Sequence, residues 1–335
     1  MDKVVLVTGV GGLLGSRFSK WLVDSKRDVR VVGIDDFSGG YEDFVDKEVT
    51  LYNRESSSDN ISDIFEVHKP DYVWHYTAYA AEGLSPFIRK FNYTTNMVSN
   101  ANIINECIKH DVKRVVFTSS MAVYGRGNPP FGEDEQPSPV DPYGIAKYGC
   151  ELDYRVAEEQ HGLDYCIIRP HNVYGINQNI WDRYRNVLGI WMYNLMNGGK
   201  ITVFGDGSQK RAFTFMDDIN EPLWESAVSP KASKQIINVG GPVSCTILEA
   251  AETLQEVVGY GEIEFLENRH EVKYAWSTHE KSEEILGYSF KTNLKDGLKK
   301  MWDWAQKQPE RPRQSWDSYE LDKGIYDFWK NKWKT

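Results

Sequence analysis

Tyr143 and Lys147 stand four residues apart in the stretch "DPYGIAKYG" (141–149). On a helix this spacing puts both side chains on one face, about one turn from each other. A phenol with a reference pKa near ~10 is a poor base at neutral pH, and a nearby ammonium favours its phenolate. Ser120, in "TSSMAVYG" (118–125), adds a hydroxyl that can share the proton of a substrate alcohol. The chemistry open to such a trio is removal and return of an alcohol proton. Any helix can carry a Tyr and a Lys at this spacing, so the pair takes its meaning from what accompanies it.

Two features accompany it. Directly after Ser120 come Met121 and Ala122, a thioether and a methyl group, neither of which moves protons. Upstream, "VLVTGVGGLLGSRF" (5–18) spaces Gly9, Gly12 and Gly15 as G-x-x-G-x-x-G, with Leu13 and Leu14 between the last two. Glycines at the end of a strand and the start of a helix permit a tight turn and a close backbone approach to a pyrophosphate. The spacing is one residue looser at its first gap than the best-known dinucleotide fingerprint, and a structural turn would use the same residues. A second strand-like run ends in Asp35, followed by Asp36, Phe37 and Ser38. A carboxylate there accepts hydrogen bonds from ribose hydroxyls and repels a 2′-phosphate, which favours NAD over NADP.

The elements that must position these groups alternate. Strands are expected at 3–8, 28–35, 71–77, 113–120 and 163–170, with helices at 13–25, 56–68, 86–109 and 142–161. Asp141 suits an N-cap and Pro142 the first helical position. Strand–helix alternation implies right-handed crossovers and a parallel sheet covered on both faces, with ligands at the carboxyl ends of the strands. The fold class is therefore α/β, a Rossmann-type doubly wound parallel sheet with a smaller mixed C-terminal lobe. Residues 1–170 form the dinucleotide-binding domain, with segments around 205–240 expected to return to it. Residues 171–310 form mainly the substrate lobe, and 311–335 an aromatic-rich tail. Further helices are expected at about 179–199, 246–258, 279–286 and 293–309, and a strand and turn at 200–208.

Composition narrows the partners. The 335 residues carry a net charge of −10, which argues against nucleic acid, whose phosphates demand a basic stripe. The short basic run "WKNKWKT" at the end does not change that. No run of eighteen apolar residues suggests a membrane span. The start leads straight into a strand, so no targeting peptide is expected. Cys107, Cys150, Cys166 and Cys245 lack metal or redox spacing and read as free thiols in a reducing, cytoplasmic compartment. No metal site is expected.

Taken with "HYTA" (75–78), Tyr93 and Asn96, "RPHNVYG" (169–175), "FGDGSQKRAFTFMDD" (204–218) and Arg269, these motifs resemble the extended short-chain dehydrogenase/reductase family. The resemblance is to its nucleotide-sugar epimerases and dehydratases and covers about residues 3 to 300. It implies bound NAD, with Tyr76, Thr77, Ala78, Asn96, Thr118, Ser119 and Pro170 joining the glycine turn and Asp35–Ser38 around it. It implies that Ser120 orients a sugar hydroxyl, that Tyr143 is the acid–base, and that Lys147 binds the nicotinamide ribose and lowers the phenol's pKa. Asn172, Arg211 and Arg269 would hold a sugar nucleotide's diphosphate with Asn186 and Val187 nearby, Thr202 and Phe204 would border its base, and Ala80 and Met121 would touch the substrate. Arg183 and Arg185 are expected as helix-face charges.

The chain also departs from the family. Its third strand reads "LYNRE", so Asn53 stands where the adenine contact would be; the loop after "HYTA" is "YAAEGLSPF", and "HEVKYAW" (270–276) follows Arg269. Dehydratases of this family carry an acid just after the catalytic hydroxyl, and 3,5-epimerases a Cys near position 122. With Met121 and Ala122 there, the expectation is 4-epimerisation of a UDP-hexose of the UDP-glucose/UDP-galactose type. A 4-dehydrogenase or 4-ketoreductase uses the same residues, a 4,6-dehydratase is a weaker alternative, and a non-catalytic dinucleotide-binding scaffold is a remote one. Ala275 would line the sugar pocket and leave it roomy. The family further implies a homodimer joined through the helices near 86–109 and 142–161.

Overall fold

The computed structural model describes residues 3–25, 28–58 and 61–330. Its centre is a seven-stranded sheet of β1 (Lys3–Thr8), β2 (Val29–Asp35), β3 (Thr50–Asn53), β4 (Tyr72–His75), β5 (Arg114–Thr118), β6 (Tyr165–Pro170) and the strand Gln235–Val239. The order across the sheet is Gln235–Val239, β6, β5, β4, β1, β2, β3, and every pairing is parallel. The order reverses between β1 and β4, which opens a crevice at the carboxyl ends of the strands.

Each face of the sheet buries its own layer. The pleat sends Val5 and Val7 to one side, against Phe18 and Leu22 of α1 (Leu13–Asp24) and the helix Asn220–Val228. Leu6 points to the other, against Ile64 of α2 (Ser62–His68), Ile103 and Tyr154. The chain from 89 to 109 runs as α3 (Arg89–Tyr93), a π turn (Thr94–Val98) and α4 (Ser99–Lys109). α5 (Pro142–His161) is the longest helix described. Asp141 accepts its cap bond from the Gly144 N–H at 2.9 Å, and the helix stops at Gly162 in the left-handed conformation.

Residues 179–186 are not helical. The side-chain oxygen of Asn179 accepts from the N–H groups of Trp181 and Asp182, and Asp182 accepts from Tyr184. These short polar side chains satisfy the backbone locally and hold it out of a helix until Asn186 caps α6 (Val187–Met196). The expected helix at 56–68 shortens to Ser62–His68, with positions 59 and 60 outside the described residues. The smaller lobe gathers around Trp191, Ile201, Val203, Leu254 and Trp302.

One buried ion pair ties helix to sheet. Arg169 of β6 donates to both carboxylate oxygens of Glu151 on α5, at 2.9 and 2.6 Å, and both side chains are essentially inaccessible. Removing one partner strands a buried charge. Glu151→Ala is therefore expected to destabilise the fold by about 3–5 kcal/mol in a denaturant titration.

Candidate active site

The glycine turn packs as tightly as its sequence implies. Gly9 has φ +68°, and a Cβ there would lie 2.9 Å from the backbone of Tyr76 and Thr77. A Cβ on Gly15 would sit 2.2 Å from the Gly9 carbonyl oxygen. Gly12 is the N-cap of α1 and has no side chain to cap with, so the first-turn N–H groups of Leu13, Leu14 and Gly15 face the crevice. Asp35 fixes the turn by accepting from the N–H of Gly11 at 2.8 Å and of Phe37 at 2.7 Å. Burial raises its carboxyl above the usual range, and those two bonds oppose the rise. Asp35, Asp36 and Ser38 border the same cavity, so the end of β2 is acidic and suits ribose hydroxyls, not a 2′-phosphate. The residues present fit NAD.

From this turn one cavity continues past Tyr76, Thr77, Ala78 and Ala80 to Ser120, Tyr143 and Pro170. It goes on to Asn172, Asn186, Val187, Thr202, Phe204, Arg211 and Arg269 in the smaller lobe. Tyr143 is set by the first turn of α5 and by its N–H bond to the Ser85 hydroxyl at 3.2 Å. Burial is the main force on its phenol and pushes the pKa up; Glu82 adds to the rise and the Ser120 hydroxyl opposes it. Lys147 lies 5.9 Å from the Tyr143 ring centre and donates to the Thr118 carbonyl at 2.7 Å. Burial lowers its own pKa to about 8. Burial of the phenol outweighs the lowering by Ser120 and Arg185.

Several expected residues lie outside this cavity. Thr118 contributes its carbonyl to Lys147, and the Ser119 hydroxyl donates to Glu151, so both support α5. Asn96 is buried in the π turn and donates to Asn92, leaving its own Oδ1 without a partner. Phe37 bends the chain with φ +56°, and Asn53 is exposed at the end of β3. Met121 and Ala275 pack with Val123, Tyr124 and Phe131 in a separate apolar cluster. Ala275 is buried in that cluster and does not border the cavity, although its strand pairs with that of Arg211.

Other residues arrive from stretches that gave no motif. Arg183 and Arg185 line the cavity and are not helix-face charges, because the non-helical run 179–186 turns them inward. Glu271, from "HEVKYAW", accepts from Arg211 at 3.2 Å, from Arg269 at 3.0 Å and from Gln209 at 3.1 Å. It holds two guanidinium groups side by side, the arrangement that grips a diphosphate. Glu82 enters from the loop after β4.

The C-terminal tail completes the wall. Glu320 accepts from the N–H groups of Lys90 and Phe91 at 2.7 and 2.8 Å, a carboxylate at the N-terminus of α3. Trp316 packs on Phe91 at 4.7 Å and donates to the Tyr79 hydroxyl at 3.2 Å. Phe328 and Trp329 reach the cavity, Phe328 edge-on to Phe204 at 5.8 Å. The run "WKNKWKT" lies mostly outside the described residues.

With this geometry in place, comparison with known proteins is informative. Residues 5–240 match the profile described as the NAD dependent epimerase/dehydratase family. The chain belongs to that family. It is 28% identical over 325 residues to a UDP-glucuronate 4-epimerase of Thermodesulfobacterium geofontis, covering 91% of this chain and 97% of that one. Among solved structures it resembles a UDP-glucose 4-epimerase of Thermotoga maritima with UDP-glucose: 27% identity, TM-score 0.84, and 91% and 99% coverage. A UDP-N-acetylglucosamine 4-epimerase of Methanobrevibacter ruminantium is 28% identical with TM-score 0.82, covering 91% and 98% of the two chains.

The tail's docking is directly testable. Trp329 is buried against Phe87, Tyr184 and Tyr326 at 5.2–6.3 Å between ring centres. Trp329→Ala removes that anchor, at a cost of about 3–5 kcal/mol if the tail stays in place. The expected outcome is protease cleavage between 311 and 330 in the variant under conditions that leave the parent intact.

Proposed function

We propose that this protein interconverts the 4-epimers of a UDP-hexose of the UDP-glucose/UDP-galactose type. The observation that carries the reading is one cavity bordered by Tyr143 and Ser120 together with a dinucleotide turn and a pair of arginines. In this reading Ser120 orients the sugar's 4-hydroxyl and Tyr143 takes its proton. NAD, when bound, supplies the acceptor for the C4 hydride and later gives the same hydride back. Arg211 and Arg269 hold the diphosphate while the 4-keto sugar turns about that linkage, and Tyr143 returns the proton on the other face. Lys147, held on the Thr118 carbonyl, keeps a positive charge beside the phenol and reaches the nicotinamide ribose. Thr202 and Phe204 border the base. The UDP-sugar 4-epimerases among the relatives support the substrate class.

Proton NMR in D2O with UDP-glucose, and no added cofactor, tests this. The expected product is UDP-galactose with no deuterium in the ring. Tyr143→Phe should lower kcat by at least about 10²-fold, as loss of an acid–base does, while retaining bound NAD. An unchanged rate would remove Tyr143 from the mechanism, and accumulation of a 4-keto product with release of NADH would make the protein a 4-dehydrogenase.

We further infer a homodimer formed through α5 and the π turn that leads into α4. Met97 and Val98 of that turn and Ile145, Leu152 and Val156 of α5 are each 36–47% exposed. A Cβ at Gly149 would lie 3.0 Å from the Met97 methyl, so the turn and the helix present one apolar face. A second copy would bury that face as a four-helix bundle. Light scattering should give the dimer mass for the parent and the monomer mass for Ile145→Glu with Val156→Glu. A monomeric parent would refute it.

A further inference from the structure

Glu82 places a carboxylate where no motif announced one. It lies in "YAAEGLSPF", the loop after β4 that departs from the usual family forms, and it borders the cavity. Its backbone is fixed: the Glu82 carbonyl accepts from the Ser85 hydroxyl at 2.8 Å and from the Ser85 N–H at 3.3 Å.

The loop's two ends locate the side chain. Gly83 abuts the arginine pair, since a Cβ there would lie 3.7 Å from Arg269 Nη1 and 3.4 Å from the Trp329 ring. Ser85 touches the catalytic side through its bonds to the Tyr143 N–H at 3.2 Å and to Asp141 at 3.5 Å. Glu82 therefore stands between the group that would bind C4–OH and the groups that would bind the diphosphate, which is where a hexose would lie. Its charge is felt at both ends: burial raises the pKa of Glu82 itself, Arg211 and Arg269 oppose that rise, and Glu82 in turn raises the pKa of Tyr143 and Asp141. Among the described residues the carboxylate has no hydrogen-bond donor or ion-pair partner in contact. It is open to solvent within the cavity but closely surrounded by protein, so a ligand that fills the cavity takes away its water. A desolvated carboxylate needs donors.

We propose that Glu82 is a specificity-determining residue that accepts hydrogen bonds from the hydroxyls of an uncharged hexose and excludes hexuronates. This rests on the reading of the cavity as a nucleotide-sugar site. A neutral hexose brings O–H donors to the carboxylate. A hexuronate brings a second carboxylate into the same low-dielectric space, where like charges repel strongly. The substrate class is thereby narrowed to uncharged UDP-hexoses, even though a UDP-glucuronate 4-epimerase is among the relatives.

The test measures binding apart from turnover, by calorimetry on the NAD-loaded Tyr143→Phe protein with UDP-glucose and UDP-glucuronate. The expected result is at least about tenfold tighter binding of UDP-glucose. Adding Glu82→Gln should bring the two affinities within about threefold of each other, mainly by strengthening UDP-glucuronate. Glu82→Ala should narrow the preference in the same direction, and unchanged NAD content and melting temperature would show that both variants fold. Equal affinities before the Glu82 change, or a preference that survives it, would overturn the assignment and leave the epimerase reading standing. Failure of both sugar nucleotides to bind would overturn both. Solvent deuterium entering the hexose with Glu82 present and not with Gln would also overturn it, because the carboxylate would then be moving a proton at carbon.

Discussion

Helix α5 is anchored to the sheet by charge, and the site depends on that anchorage. Lys147 and Glu151 lie one turn apart on its buried face. The lysine donates to the Thr118 carbonyl at the end of β5, and the glutamate is held by Arg169 of β6 and the Ser119 hydroxyl. Replacing such contacts with apolar packing would cost the fold little, but it would free the helix to slide. Charged pairs with directional bonds allow one register. Tyr143, at the first turn of the same helix, is placed by that register, and so is its distance from Ser120.

The crevice beside this helix has two differently built halves. On the dinucleotide side the surface is backbone: close-packed glycines, uncapped N–H groups of α1, and the acidic end of β2. That surface is set by the sheet and admits little variation, because a single Cβ at Gly9 or Gly15 would collide with main chain. On the other side the surface is made of side chains from loops, namely Arg211, Arg269, Glu271, Glu82 and the tail's Phe328 and Trp329.

Carboxylates decide the electrostatics of the variable half. Glu271 joins two arginines at one carboxylate oxygen, and an incoming diphosphate would compete for the same donors. Glu82 borders the same cavity. The chain carries no acid at positions 121 and 122, yet the cavity is not free of acids. Met121 and Ala122 are buried beside Val123 in the turn that follows β5, and the carboxylate comes from β4's loop instead.

Local patterns in the sequence were enough to read the βαβ alternation, the glycine turn, Asp35, and the Tyr143–Lys147 pair. Each depends on residues within about one turn or one strand of each other, where spacing alone sets geometry. The family motifs likewise led to Ser120, Asn172, Arg211 and Arg269, all of which border the cavity. Spacing could not reveal that Asn179 and Asp182 would hold residues 179–186 out of a helix and turn Arg183 and Arg185 inward. Nor could it reveal that the tail would dock on α3, or that Ala275 would face Met121. Those outcomes depend on contacts between residues far apart in the chain: 230 positions separate Lys90 from Glu320. Packing chooses among such contacts only once the sheet exists. The sequence determined what chemistry the protein carries; the tertiary structure decided which charges surround it, because a carboxylate's effect depends on what it is buried against.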